Sequence, residues 1–155
     1  MMHIDRKPEG QRIADIHGMI EKLCRDIELT RWWIADPEDL IKFIHDYISN
    51  PDGYCAVTID ETTGITTGCM LGFVWPLPFN HSVKIAREAF IWVEPQYRGQ
   101  ALGEKLVQDF SAWAKDVGAT IAIIGNTNGF SGESIKKIAD NLGFELQEMM
   151  YMRRV

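Results

Sequence analysis

The segment "EPQYRGQALGEKL", residues 94–106, decides how this chain is read, because it joins a strand-like run to an amphipathic helix through an Arg and two glycines. Two phosphate-loop patterns fail on it. A P-loop needs G-x-x-x-x-G-K-[ST], but Gly99 and Gly103 stand one residue too close and Lys105 is followed by Leu106. The dinucleotide fingerprint G-x-G-x-x-G is absent as well. What remains is Arg98, Ala101 and Gly103 spaced R-x-x-A-x-G at a helix start. The first turn of a helix leaves N–H groups without partners, and its dipole favours an anion there. Small residues let a pyrophosphate approach the backbone, and an Arg adds a charge-assisted hydrogen bond. An ordinary strand-turn-helix would have the same outline.

Upstream, Ile13, Ile16, Ile20, Leu23 and Ile27 recur at helical steps and predict an amphipathic helix over roughly 11–28. A second helix starts at Asp36 and Pro37, carries Leu40, Phe43, Ile44, Tyr47 and Ile48 on its apolar face, and stops at "NPDG", 50–53. The runs 54–60 and 65–75 read as a hairpin around "ETTG". "PLPFNH", 76–81, is expected to leave the sheet, since its prolines lack an N–H. A long strand, 82–93, then feeds the opening segment.

Downstream, Leu102, Leu106, Phe110, Trp113 and Val117 form a helical stripe closed by Gly118. "ATIAIIG", 119–125, has the continuous apolar character of a strand buried on both faces. A helix over about 132–142 and a last strand in "ELQEMMYMRRV" complete the order. The pattern is an α+β fold with a mixed sheet and flanking helices, expected as one domain over 155 residues.

Composition narrows the function. A net charge of −6 argues against a nucleic-acid binder, and no apolar run reaches the length of a membrane span. The N-terminus lacks a signal-peptide core, so a cytoplasmic location is expected. Cys24, Cys55 and Cys69 show no ligand spacing and read as free thiols; His3, His17, His45 and His81 are scattered, so no metal site is expected.

"WVEPQYRGQALGEKLVQDF", 92–110, resembles the acetyl-CoA-binding motif of the GNAT superfamily of acyltransferases, V-x-P-x-Y-R-G followed by a small residue, an apolar residue, Gly and a long helix. "NLGFELQEMMYM", 141–152, is similar to the family's C-terminal "LGF" and strand. The resemblance implies a mostly antiparallel sheet splayed between its fourth and fifth strands, 82–93 and 119–125, with coenzyme A in the wedge. Backbone N–H groups of Arg98, Gly99, Gln100, Ala101, Leu102 and Gly103 would then bind the pyrophosphate. Trp92 and Val93 would pair with the pantetheine arm, and an N–H near Val93 would polarise the thioester carbonyl. Ala101 stands where many members have Gly.

The family pattern also places an Asn and a general-acid Tyr ahead of the "LGF", but those positions hold Gly132 and Ala139. The usual general acid is therefore missing; Asn126 or Asn128 is the candidate substitute for the Asn, and Tyr151 or Tyr97 for the Tyr. The general base is expected to be Glu88, on the long strand among apolar neighbours, with His81 as the alternative; Glu94, at the wedge mouth, is expected to be solvated. Trp32, Trp33, Trp75 and Phe79 either hold the amine acceptor against aromatic faces or cover the end of the sheet. The resemblance thus implies an acetyl-CoA-dependent N-acetyltransferase acting on a small-molecule or protein amine, as a monomer or homodimer. A coenzyme A-binding or interaction module without turnover is the alternative.

Overall fold

A computed structural model of the protein describes residues 1–26, 36–125 and 132–147. The elements in chain order are β1 (Met2–Asp5), α1 (Gln11–Asp26), α2 (Pro37–Ser49), β2 (Gly53–Asp60), β3 (Thr66–Leu77), β4 (Asn80–Val93), α3 (Leu102–Asp116), β5 (Ile121–Ile123) and α4 (Gly132–Leu142). The strands form one sheet in the order β1-β2-β3-β4-β5. The first four are antiparallel to their neighbours, and β5 runs parallel to β4.

Helices cover both faces. On one, Ile16, Met19 and Ile20 of α1 and Leu40 and Ile44 of α2 pack on Cys55, Val57, Cys69, Leu71, Phe90 and Trp92. On the other, Leu106, Val107, Phe110 and Trp113 of α3 pack on Tyr54, Ala56, Met70, Val74 and Ala86. The alternation of adjacent residues between the two clusters is the period-2 signature of strands buried on both sides. The start of α2 is fixed as expected, with Asp36 Oδ1 accepting from the N–H of Glu38 (2.9 Å) and of Asp39 (3.2 Å).

Three expectations need correction. β1 was not legible: its four residues pair with Val57–Asp60, but two of the four are charged or ionisable and the run is too short to show a period. Nor do the prolines end β3. Pro76 pairs opposite Lys84, and Pro78–Phe79 forms the turn of a β3–β4 hairpin closed by Leu77 and Asn80. The strand tolerates Pro76 because β2 reaches only as far as Phe73, so the missing N–H interrupts no second ladder. Finally, β5 is three residues long and is not buried on both faces, since Ile121 is 45% and Ile123 36% exposed. Ala122 and Ile124 face the α3 layer, while the opposite side of the strand has no helix over it among the described residues.

Gly72 marks the tightest point of the α3 packing. A Cβ there would lie 2.6 Å from Phe110 Cε2 and 2.9 Å from the carbonyl oxygen of Arg87. Gly72→Ala should therefore cost about 2–3 kcal/mol of stability, which thermal unfolding would read as a fall in Tm of roughly 5–10 °C. The described helices include none long and apolar enough to cross a membrane.

Candidate active site

The site is built where β4 and β5 separate. Their pairing is confined to Ile85–Ile121, Ala86–Ala122 and Arg87–Ile123, while β4 runs on for six more residues to Val93. A β-bulge falls at the same place. Leu71 pairs with Phe90 and Gly72 with Glu88, leaving Ala89 without a partner. One extra residue reverses the facing of everything after it. Ala86 accordingly packs on the α3 side, whereas Phe90 and Trp92 pack under α1 and α2.

Past the bulge, β4 has no further strand partner on its β5 side among the described residues, and its main-chain groups face the gap. Glu94 N donates to Thr67 O across β3 (2.9 Å), so by alternation the N–H and C=O groups of Ile91 and Val93 point away from β3. Trp92, expected to share this edge with Val93, instead directs its backbone to its partner Cys69, and its side chain is 2% exposed in the core. Ile91 takes its place. Glu94, expected to be solvated, is buried at 8% exposure and ion-paired with Lys22 Nζ at 2.5 Å, which fastens α1 to the end of β4.

The loop after β4 turns through a short 3-10 segment, Pro95–Tyr97, and then takes two left-handed residues, Gly99 (φ 81°) and Ala101 (φ 58°). Ala101 is the N-cap of α3 and offers no side-chain cap. Arg98 N donates to Pro95 O and Lys105 N to Ala101 O, but the N–H groups of Gly99, Gln100, Ala101, Leu102 and Gly103 have no acceptor among the described residues. Five consecutive unpartnered donors at a helix N-terminus are what a pyrophosphate needs. Gly103 keeps the approach narrow but open: a Cβ there would sit 3.1 Å from Ile138 Cδ1 of α4. Arg98 anchors this loop, its Nε donating to Val93 O (2.9 Å) and its guanidinium lying 4.8 Å from the centre of the Trp92 ring.

The left-handed Ala101 costs about 1 kcal/mol relative to Gly, since its Cβ crowds the following carbonyl. Ala101→Gly should recover about half to all of that against the added freedom of the unfolded chain. Thermal unfolding should show a Tm higher by roughly 1–4 °C, with acetyl-CoA affinity unchanged in calorimetry.

Glu88 lies at the apex of the gap, and its Oε2 accepts a hydrogen bond from Gly125 N at 2.9 Å. Burial pushes its carboxyl up to about 7 from the ordinary 4.5, against the opposing pull of the Gly125 N–H and of Arg87. On the α2 side of the sheet, Phe43, Tyr47, Phe73 and Trp75 form a continuous aromatic series, with ring centres 4.5, 5.9 and 4.8 Å apart in turn. Burial and the nearby Glu88 charge raise the Tyr47 phenol. Its hydroxyl has no hydrogen-bond partner among the described residues.

Of the other predicted site residues, Trp75 joins the aromatic series, but Phe79 does not. Phe79 is 93% exposed at the hairpin turn. His81 is exposed near the same tip, seven residues and roughly 20 Å of extended strand from Glu88. It is not brought to the gap. Trp32, Trp33, Asn126 and Tyr151 lie outside the described residues. Tyr47, Phe43 and Phe73 were legible only as apolar positions, and Gly125 only as a strand end; nothing local marks Gly125 as the partner of a carboxylate 37 residues away.

The sequence matches the family model described as Acetyltransferase (GNAT) family over residues 19–130. No curated protein matches it. Solved structures with the same fold include AAC(6')-Iy in complex with the bisubstrate analogue CoA-S-monomethyl-acetylneamine, at 14% identity and TM-score 0.77 over 100% of this chain and 98% of that one. The ribosomal-protein-alanine N-acetyltransferase from Brucella melitensis biovar Abortus 2308 gives 10% identity and TM-score 0.75 over 99% of each chain. Glucosamine-6-phosphate N-acetyltransferase from Arabidopsis thaliana gives 18% identity and TM-score 0.68 over 99% of this chain and 98% of that one.

Proposed function

The chain belongs to the GNAT acetyltransferase family, and on that premise we propose that it transfers an acetyl group from acetyl-CoA to a primary amine by direct attack, with both substrates bound together. The observation that carries this reading is a half-buried carboxylate at the apex of the β4–β5 gap, between a strand edge and a helix N-terminus whose N–H groups alike have no partners among the described residues. Acetyl-CoA supplies the activated acyl thioester; the rest is the work of the protein.

The N–H groups of Gly99 to Gly103 receive the pyrophosphate, and the positive end of α3 reinforces them. The edge of Ile91 and Val93 pairs with the amides of the pantetheine arm in the manner of an added strand. The Val93 N–H, a donor that faces the gap, polarises the carbonyl under attack, and the bond from Arg98 to Val93 O holds that peptide in place. Glu88 takes the proton from the amine. A base with a pKa near 7 is half ionised at neutral pH, which suits both removing and releasing a proton.

No tyrosine stands at Ala139 to protonate the departing thiolate. A thiolate whose conjugate acid has a pKa of about 8.5 leaves without much assistance. The aromatic series from Phe43 to Trp75 forms the acceptor wall, where a cationic amine gains about 1–2 kcal/mol on desolvated ring faces. An acceptor on a small molecule fits the amines named in two of the similar structures, the glucosamine phosphate and the neamine derivative, whereas the third is named for a ribosomal-protein alanine.

Incubation with acetyl-CoA and a panel of primary amines, followed by free-thiol detection, tests the proposal. Amine-dependent thiol release supports it. Acetyl-CoA binding with no release above hydrolysis, for every amine, would favour instead the module without turnover that Gly132 and Ala139 permit.

A further inference from the structure

We infer that Glu88 plays a second part in the site, as the tie whose carboxylate sets the opening between β4 and β5, and that Gly125 is the positioning residue that holds it. The acyltransferase reading enters only in saying what the opening receives.

The tie follows from where the backbone ladder stops. Arg87–Ile123 is the last β4–β5 pair, and the bulge at Ala89 comes directly after Glu88. Beyond that pair the described residues carry one hydrogen bond between the two diverging segments, from Gly125 N to Glu88 Oε2 at 2.9 Å. That bond stands where the next bond of the backbone ladder would have come. It also runs through a side chain, so it fastens the segments at a separation that backbone pairing would not give.

The site leaves little room for other arrangements. A Cβ on Gly125 would stand 3.2 Å from Oε2, so any side chain there presses on the carboxylate. Opposite Glu88, Gly72 lets the Phe110 ring close against the sheet and fixes the strand from which Glu88 projects. With Oε2 engaged by Gly125, Oε1 is the oxygen left to meet an amine. The same bond therefore orients the base and spaces the wedge.

Two substitutions separate the tie from proton transfer. Glu88→Gln keeps an oxygen that can accept from Gly125 N but cannot act as a base, whereas Glu88→Ala loses both. Amide hydrogen exchange at Gly125, followed by NMR, should be slow in the wild type and in Glu88→Gln and about tenfold or more faster in Glu88→Ala. Calorimetry should find acetyl-CoA affinity about equal for the wild type and Glu88→Gln, and about tenfold weaker for Glu88→Ala, or 1.4 kcal/mol. Gly125→Pro, which deletes the donor and sets a ring against the carboxylate, should reproduce the affinity loss.

Equal Gly125 exchange in Glu88→Gln and Glu88→Ala, or equal acetyl-CoA affinity for the two, would overturn the tie. Loss of protection in Glu88→Ala alone, with no thiol release from any amine in the wild type, would leave the tie standing and remove the acyltransferase reading instead.

Discussion

Glu88→Gln should lower kcat by roughly two to three orders of magnitude, the usual contribution of a positioned general base. The same substitution should flatten the pH profile. In the wild type the rate should rise with pH through about 7, because the carboxyl must be ionised to accept a proton and burial holds its pKa there. The residual activity of the variant should lack that inflection. A wild-type profile with no group titrating near neutrality would contradict the assignment.

The shift has a second consequence, for stability. Between its ordinary value of 4.5 and the folded value of about 7, the native protein holds more of this proton than the unfolded chain does. Native stability contributed by this site is therefore complete at acid pH and falls as pH rises through that window. Gln carries no such penalty. Glu88→Gln should melt higher than the wild type at pH 8 and match it near pH 4, while being a far poorer enzyme.

Arg98→Glu should weaken acetyl-CoA binding by about ten- to hundredfold, or roughly 1.4–2.7 kcal/mol, and leave kcat at saturation within a few-fold. Two losses combine. The Nε bond to Val93 O and the stacking on Trp92 both disappear, freeing the loop that presents the N–H groups of Gly99 to Gly103. A negative charge is then placed beside the position of a pyrophosphate. Arg98→Lys should fall between the two, since Lys keeps the charge but not the planar fork. Titration calorimetry and saturation kinetics would measure both effects.

Much of this site was legible because its backbone is specified locally. The Arg98–Gly99 turn, the helix that follows it and the small residues at Ala101 and Gly103 are written within a dozen consecutive residues. Glu88 drew attention for a different reason, as an acid just ahead of the apolar run 89–93. The bulge at Ala89 was not legible, because it depends on register with Leu71 and Gly72, and a strand's own sequence does not state which residue it faces. That one-residue slip decides that Ile91, rather than Trp92, presents its backbone to the gap. Tertiary placement also decided Phe79, whose aromatic ring suggested the acceptor wall but which a hairpin turn carries into solvent. The aromatic wall itself drew on Tyr47 and Phe73, residues that read as ordinary core positions and become neighbours only because α2 lies across β3.

A calorimetric titration of the purified protein with acetyl-CoA bears most directly on whether the β4–β5 gap is a coenzyme A site. Saturable binding at one site per chain is expected, with a dissociation constant of about 1–100 μM, in the range common for enzyme substrates. No heat of binding up to millimolar acetyl-CoA would contradict it, since the loop, the strand edge and the half-buried carboxylate would then lack the ligand they are arranged to receive.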